Sequence, residues 1–443
     1  MKSGVMRFAL KFAACGTLCF VMGALQAAQS QSAGTSKKRI PADPAEVVLN
    51  NLLSTAQAAM DRKDFQTAAQ NYQDYLAKKP DDSLAHFNLG YAWMAMQKLS
   101  DARGEYEKAI SLDPKMAPAY LNLGLTLIDT DPPAAVAPLQ KAVEMMPNQA
   151  GPKFLLGTAL EANHKFPEAI EQYQAAEGID GTDFNIRFSL GRALLAAGRP
   201  GEAEPEFRAA SSMRPNMAPP HLGLARSLVE EKRLNEGAAE LAKYLELQPN
   251  DTNVRLERTS ALVDMKKYED ALDELDKAAS AGPEGVRALK LRSQIYFEKQ
   301  RFDDAIPVLQ KAEPLAPDDP LIPALLGHLY LQKKTYGDAV RELIAAFKMA
   351  SNSDDVLKDL VLAQYMNKNY PAALGGIDLL SKRESLPPGS WFMRADCYDK
   401  LGQPANALEA YQRFLELNKD ENNDMYFEAS ARVRTLAREL KKR

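Results

Sequence analysis

One spacing constrains this chain more than any other feature: small residues return every 34 positions along most of its length. The first row runs Ala56, Gly90, Gly124, Gly157, Gly191, Ala225, Thr259, Ser293, Gly327, Val361 and Ala395, and its only irregular step is the 33 residues between Gly124 and Gly157. A second row keeps pace at Ala68, Ala102, Ala135, Ala169, Ala203, Gly237, Ala271, Ala305, Ala339, Ala373 and Ala407. A third lies seven residues farther on, from Tyr75 and Ala109 to Ala346. Prolines at 80, 114, 147, 215, 249, 283 and 317 close many of the units. A fixed period of this size means a stack of like units, each burying its apolar side against the next.

The residue types say what each unit is. Ala, Leu, Glu, Lys and Gln dominate and long β-branched runs are missing, which favours helix. Two helices cross closely only over a small side chain, with bulk beside it. That bulk stands four residues beyond the second row, at Tyr72, Tyr106, Tyr173, Phe207, Leu241, Leu275, Leu309, Leu343 and Tyr411. Proline near the end of a unit stops one helix and resets the chain. Pro167, Pro205, Pro307 and Pro371 are expected near the starts of second helices, where a missing N–H matters little.

In its order of positions the pattern resembles the tetratricopeptide repeat family, most closely at Phe87-Asn88-Leu89-Gly90-Tyr91-Ala92-Trp93 and Ala119-Tyr120-Leu121-Asn122-Leu123-Gly124. The resemblance runs from about Glu46 to Lys419, in roughly eleven units. It implies an all-α, right-handed superhelical solenoid of antiparallel helix pairs over residues 46–420. The third unit lacks a residue around Asp129–Pro133, so a distorted turn is expected there. The unit from Asp354 has Val361 at the small position and is expected to loosen the stack. Residues 424–443 read as a capping helix with Val433, Leu436 and Leu440 on one stripe and Arg432, Arg434 and Arg438 on a polar face.

The N-terminus reads as an export signal. Lys2, Arg7 and Lys11 precede an apolar stretch from Phe12 to Leu25, and cleavage is expected after Ala27, with Ala28 as the runner-up. An uncleaved anchor is the alternative, although the stretch is short for a membrane span. Residues 28–45 form a polar leader. The expected location is periplasmic or secreted. Cleavage leaves 52 basic against 59 acidic residues, a formal charge of −7, which disfavours nucleic acid as a partner. It also leaves Cys397 as the single cysteine, so stability must come from packing.

Motifs for catalysis are missing: there is no phosphate loop, zinc helix or nucleophile elbow, and no cofactor is expected. His86, His164, His221 and His328 lie in different repeats, with His86 and His221 at equivalent positions. The resemblance implies that first helices line a concave groove that holds a partner segment. That projection places Phe87, Asn88, Tyr91, Leu121, Asn122, Leu125 and Phe154 on the inner face, with Arg192 and Arg226 farther along and Lys290 as an extension. Asn88 and Asn122 are equivalent in consecutive repeats, and a carboxamide both donates and accepts, as gripping a peptide backbone requires. Equally, they are the consensus residue of the resembled family, satisfied by neighbouring helix ends. Arg192 and Arg226 suit partner carboxylates, or pair with acids such as Glu230 and Glu257. The expected function is a non-catalytic adaptor for a protein or peptide; the alternative is an assembly scaffold acting through the convex face and ends.

Overall fold

The structure is a computed structural model that describes residues 44–418 and 424–442. The proposed export signal and most of the leader lie outside the described residues. Pro44 and Ala45, the last two leader positions, already belong to the first helix.

The described residues form twenty-three α-helices, alternating as first and second helices of eleven repeats. The chain divides into two units, one ending at Gln248 and the other beginning at Pro249. The first unit holds the repeats with first helices Pro44–Asp61, Ser83–Ala95, Ala117–Ile128, Ala150–Ala162, Phe184–Ala196 and Ala218–Glu230. Their second helices are Phe65–Leu76, Leu99–Leu112, Pro132–Met145, Phe166–Glu177, Pro200–Met213 and Leu234–Leu247. The second unit holds first helices Thr252–Asp264, Val286–Glu298, Leu321–Gln332, Asp354–Met366 and Pro388–Lys400. These pair with Tyr268–Ala281, Phe302–Gln310, Tyr336–Met349, Tyr370–Ser381 and Pro404–Leu417, and helix Asp424–Lys442 packs on the last. Within each unit a helix packs on its sequence neighbours, and first helices of successive repeats also touch. Second helices do so less, so first helices form the inner side of the stack.

The crossings follow from the small rows. A β-carbon on Gly90 would lie 2.9 Å from the ring of Tyr106, and one on Gly157 2.7 Å from Tyr173. Both tyrosines are completely buried over those glycines. Thus the rows identified by spacing are the two sides of one contact.

Each helix pair is closed by a corner in the left-handed region. Lys63, Gln97, His164, Gly198, Lys232, Lys266, Gln300, Lys334, Lys368 and Gly402 all have positive φ, one per repeat. The next residue returns its N–H to a carbonyl five positions back, as in Lys98 to Trp93 at 2.9 Å and Lys267 to Leu262 at 2.8 Å, closing the helix end. The third repeat alone has no such corner. Its turn is one residue shorter, and Asp131 instead donates to Leu127, four positions back, at 2.7 Å.

Two expectations need correction. Pro167 and Pro371 do sit in first turns, but Pro205 and Pro307 lie inside their helices, where each removes a ladder hydrogen bond. In the tenth repeat Val361 is faced from the second helix by Gly376, one position before the buried Ile377. Along the closing helix, Leu436 is buried and Arg432 is held to Asp399 by bonds of 2.6 and 2.7 Å, so that arginine joins the last repeat rather than the solvated face.

Candidate partner-binding face

In the first unit the inner face is partly closed by its own packing. Phe87 is half-buried, its ring 5.9 Å from that of Tyr106, and Tyr91 meets Phe65 edge-on at 6.2 Å. Leu121, Asn122, Leu125 and Phe154 are only 7, 7, 3 and 6% exposed, so they form floor rather than rim. Phe154 lies 5.7 Å from Tyr173, in the same arrangement as Phe87 on Tyr106.

The paired asparagines face the preceding repeat. The Asn88 carboxamide lies beside the Tyr72 hydroxyl, and Asn122 beside that of Tyr106 one repeat on. Burial pushes the Tyr72 phenol up to about 12 and that of Tyr106 well above its ordinary value, while the asparagines oppose the rise. The hydroxyls themselves reach Gln57 at 3.5 Å and the Met94 sulfur at 3.8 Å.

Arg192 and Arg226 are both exposed, one repeat apart. Arg192 donates to Glu161 at 2.5 Å and lies 5.8 Å over Phe188. Its partner is thus an acid of the preceding repeat, and Glu161 also accepts from Tyr173 at 2.8 Å. Lys290, in the second unit, is held to Asp319 at 2.7 Å.

Sequence reasoning missed an open apolar surface. Leu321, Leu325, Leu362 and Met366, on first helices of the second unit, are 58, 43, 39 and 40% exposed. Leu325 stands at the repeat position of Asn88, and Leu362 at that of Tyr91. Between them His328 donates to Asp359 at 3.0 Å and meets Phe297 at a tilt, with ring centres 5.4 Å apart. The hydrogen bond to Asp359 raises the imidazole above its ordinary value, against the effect of burial. The repeat register was the available signal: the positions held by polar Asn88 and Asn122 and by charged Arg192 and Arg226 carry leucine at 325 and 362.

No group of three or more His, Cys, Asp or Glu among the described residues is placed to hold a metal ion. Cys397 is fully buried, and burial pushes its thiol up to about 12, far from a reactive thiolate. His164 is a corner residue with φ 59°. No described helix is long and apolar enough to cross a membrane.

Helix pairs stacked in register, with first helices inside and small residues at each crossing, define a helical-repeat protein built for contact with other proteins. The chain belongs to the tetratricopeptide repeat family, whose models match residues 53–117 and 256–320, 194–257, and 388–421. Among similar solved structures, YrrB, described as a protein of this family with an unusual peptide-binding site, is 22% identical; the match covers 45% of this chain and all of YrrB at a TM-score of 0.40. Yeast Tom70 is 14% identical over 89% of this chain and 97% of its own, at 0.38. The pilF protein of Pseudomonas aeruginosa is 24% identical over 46% and 93%, at 0.37. No curated protein matches the chain in sequence.

Proposed function

We propose that the protein is an exported, non-catalytic adaptor of the cell envelope that binds a protein partner or extended peptide along the inner faces of its repeats. The observation that carries this reading is the exposure of Leu321, Leu325, Leu362 and Met366 at inner positions. Folding buries most large apolar side chains, and a patch left open on a soluble surface marks a place for contact. In the first unit Arg192 and Arg226 add charge, with Phe87 and Tyr91 as half-buried aromatic neighbours. Export rests on the basic residues Lys2, Arg7 and Lys11 before Phe12–Leu25.

Photo-crosslinking in the native host tests the reading, with probes at Leu325 and Arg192 inside and at Arg103 on a second helix. A dominant adduct from the inner probes, lost in Leu321→Asp, supports the adaptor. Capture from Arg103 alone would favour an assembly scaffold working through the outer face and ends. That second reading has one observation behind it: Phe427 and Met425 on the closing helix are 62 and 38% exposed. N-terminal sequencing of the mature protein tests export, since recovery of intact Met1 outside the cytoplasm rules cleavage out.

A further inference from the structure

A contact away from the inner face recurs in four repeats. His86 places Nε2 2.9 Å from the carbonyl oxygen of Pro80 and Nδ1 2.5 Å from Glu105. His221 does the same, 3.0 Å from the Pro215 carbonyl and 2.8 Å from Glu240. Arg187 stands at the same repeat position and donates to the Gly181 carbonyl at 3.0 Å and to Glu206 at 2.9 Å. Arg255 donates to the Pro249 carbonyl and to Glu274, both at 2.7 Å. In each case the carbonyl lies six residues back and the glutamate nineteen on. One side chain therefore ties the turn that enters a repeat to the second helix of that repeat.

The chemistry of the four clasps differs in one respect. A carbonyl oxygen and a carboxylate accept hydrogen bonds and do not donate. A guanidinium always carries N–H groups for both. An imidazole has two N–H groups only when protonated. The charged groups around the rings fit a cation. Glu105 is shared with Lys108 at 2.8 Å and Glu240 with Lys243 at 2.7 Å, both from the second helices. From the entering turns, Asp82 is engaged by Tyr75 at 2.8 Å and by the Ala85 N–H at 3.0 Å, and Arg214 lies over Phe184.

We propose that these clasps lock the turns that enter their repeats in two grades: permanently at Arg187 and Arg255, and only while the ring is doubly protonated at His86 and His221. Loss of one proton leaves a ring nitrogen facing an acceptor, and the entering turn is released from the second helix. The third repeat carries neither grade. Tyr120 and Pro138 occupy the two places, and with Ile110 and Leu123 they line a shallow apolar cleft.

Hydrogen exchange of the full chain, corrected for the intrinsic rate at each pH, tests the lock at about pH 6 and about pH 8.5, values that bracket imidazole charge change. Turn amides over 78–84 and 212–219 are expected to lose about tenfold in protection at the higher pH, the scale of one charge-assisted hydrogen bond. The turns over 179–185 and 247–253 should keep theirs. His86→Arg and His221→Arg should abolish the loss at their own turns. Equal behaviour of all four turns in the wild type, or a loss that persists in the arginine variants, overturns the proposal. Should either variant fail to fold, ring nitrogen spectra of the wild type decide: single protonation of His86 and His221 at about pH 6, with the turns still protected, overturns it as well.

Discussion

A β-carbon built on Gly376 would stand 2.4 Å from Cγ2 of Val361. In the tenth repeat a glycine on the second helix thus makes room for the larger first-helix residue, one position before the buried Ile377. Gly376→Ala should destabilise the second unit by about 1–3 kcal/mol through overpacking. The same change in a Val361→Ala background should cost less, because the two sites touch and their effects couple. Equal penalties in the two backgrounds, measured by urea unfolding, would refute the contact.

Asn122 is expected to act on stability through Tyr106. With Asn122→Ala the buried hydroxyl loses the carboxamide beside it and keeps the weak bond to the Met94 sulfur at 3.8 Å. A loss of about 1 kcal/mol is expected. Asn88→Ala should cost less, since Tyr72 also reaches Gln57 at 3.5 Å. Thermal and urea unfolding of the single variants orders them.

The corner residues test backbone strain apart from packing. Gly198 has φ +72° and open space where a β-carbon would go. Gly198→Ala should therefore cost about 1 kcal/mol from conformation alone. A similar loss is expected at Gly402, with φ +67°. A neutral result at both would mean that the corners relax.

The His328–Asp359 pair gives the second unit a pH dependence of defined sign. Because Asp359 raises the folded-state value above the ordinary 6.5, protonation favours the fold. The contribution is complete below that ordinary value and fades as the pH rises through the higher folded one. Both side chains are more than a third exposed, so screening keeps it small. In His328→Gln the difference between urea midpoints at about pH 6 and about pH 9 should shrink relative to wild type, and a difference of unchanged size would refute the assignment.

The crossings were readable from spacing because one backbone approach needs a small residue in every repeat, and Gly90 under Tyr106 is the physical form of that row. The corners were not, because eight of the ten positive-φ residues are Lys, Gln or His, types that announce no left-handed turn. Burial on the inner face escaped for a related reason. Residues 122 and 325 hold the same repeat position, yet the former is 7% exposed and the latter 43%. Position within a repeat says where a side chain points. It does not say how closely the next repeat approaches.

The left-handed corners have a practical corollary. Lys232 and Gln97, each carrying a side chain at positive φ outside every helix, recur along one edge of the first unit, as Lys266, Gln300 and Lys334 do along one edge of the second. A dye, an affinity handle or a short guest peptide mounted there would hang from the rim of its unit and leave the helix crossings intact. The chain thereby carries its own evenly spaced attachment points, one per repeat, with the shortened third repeat as the single gap.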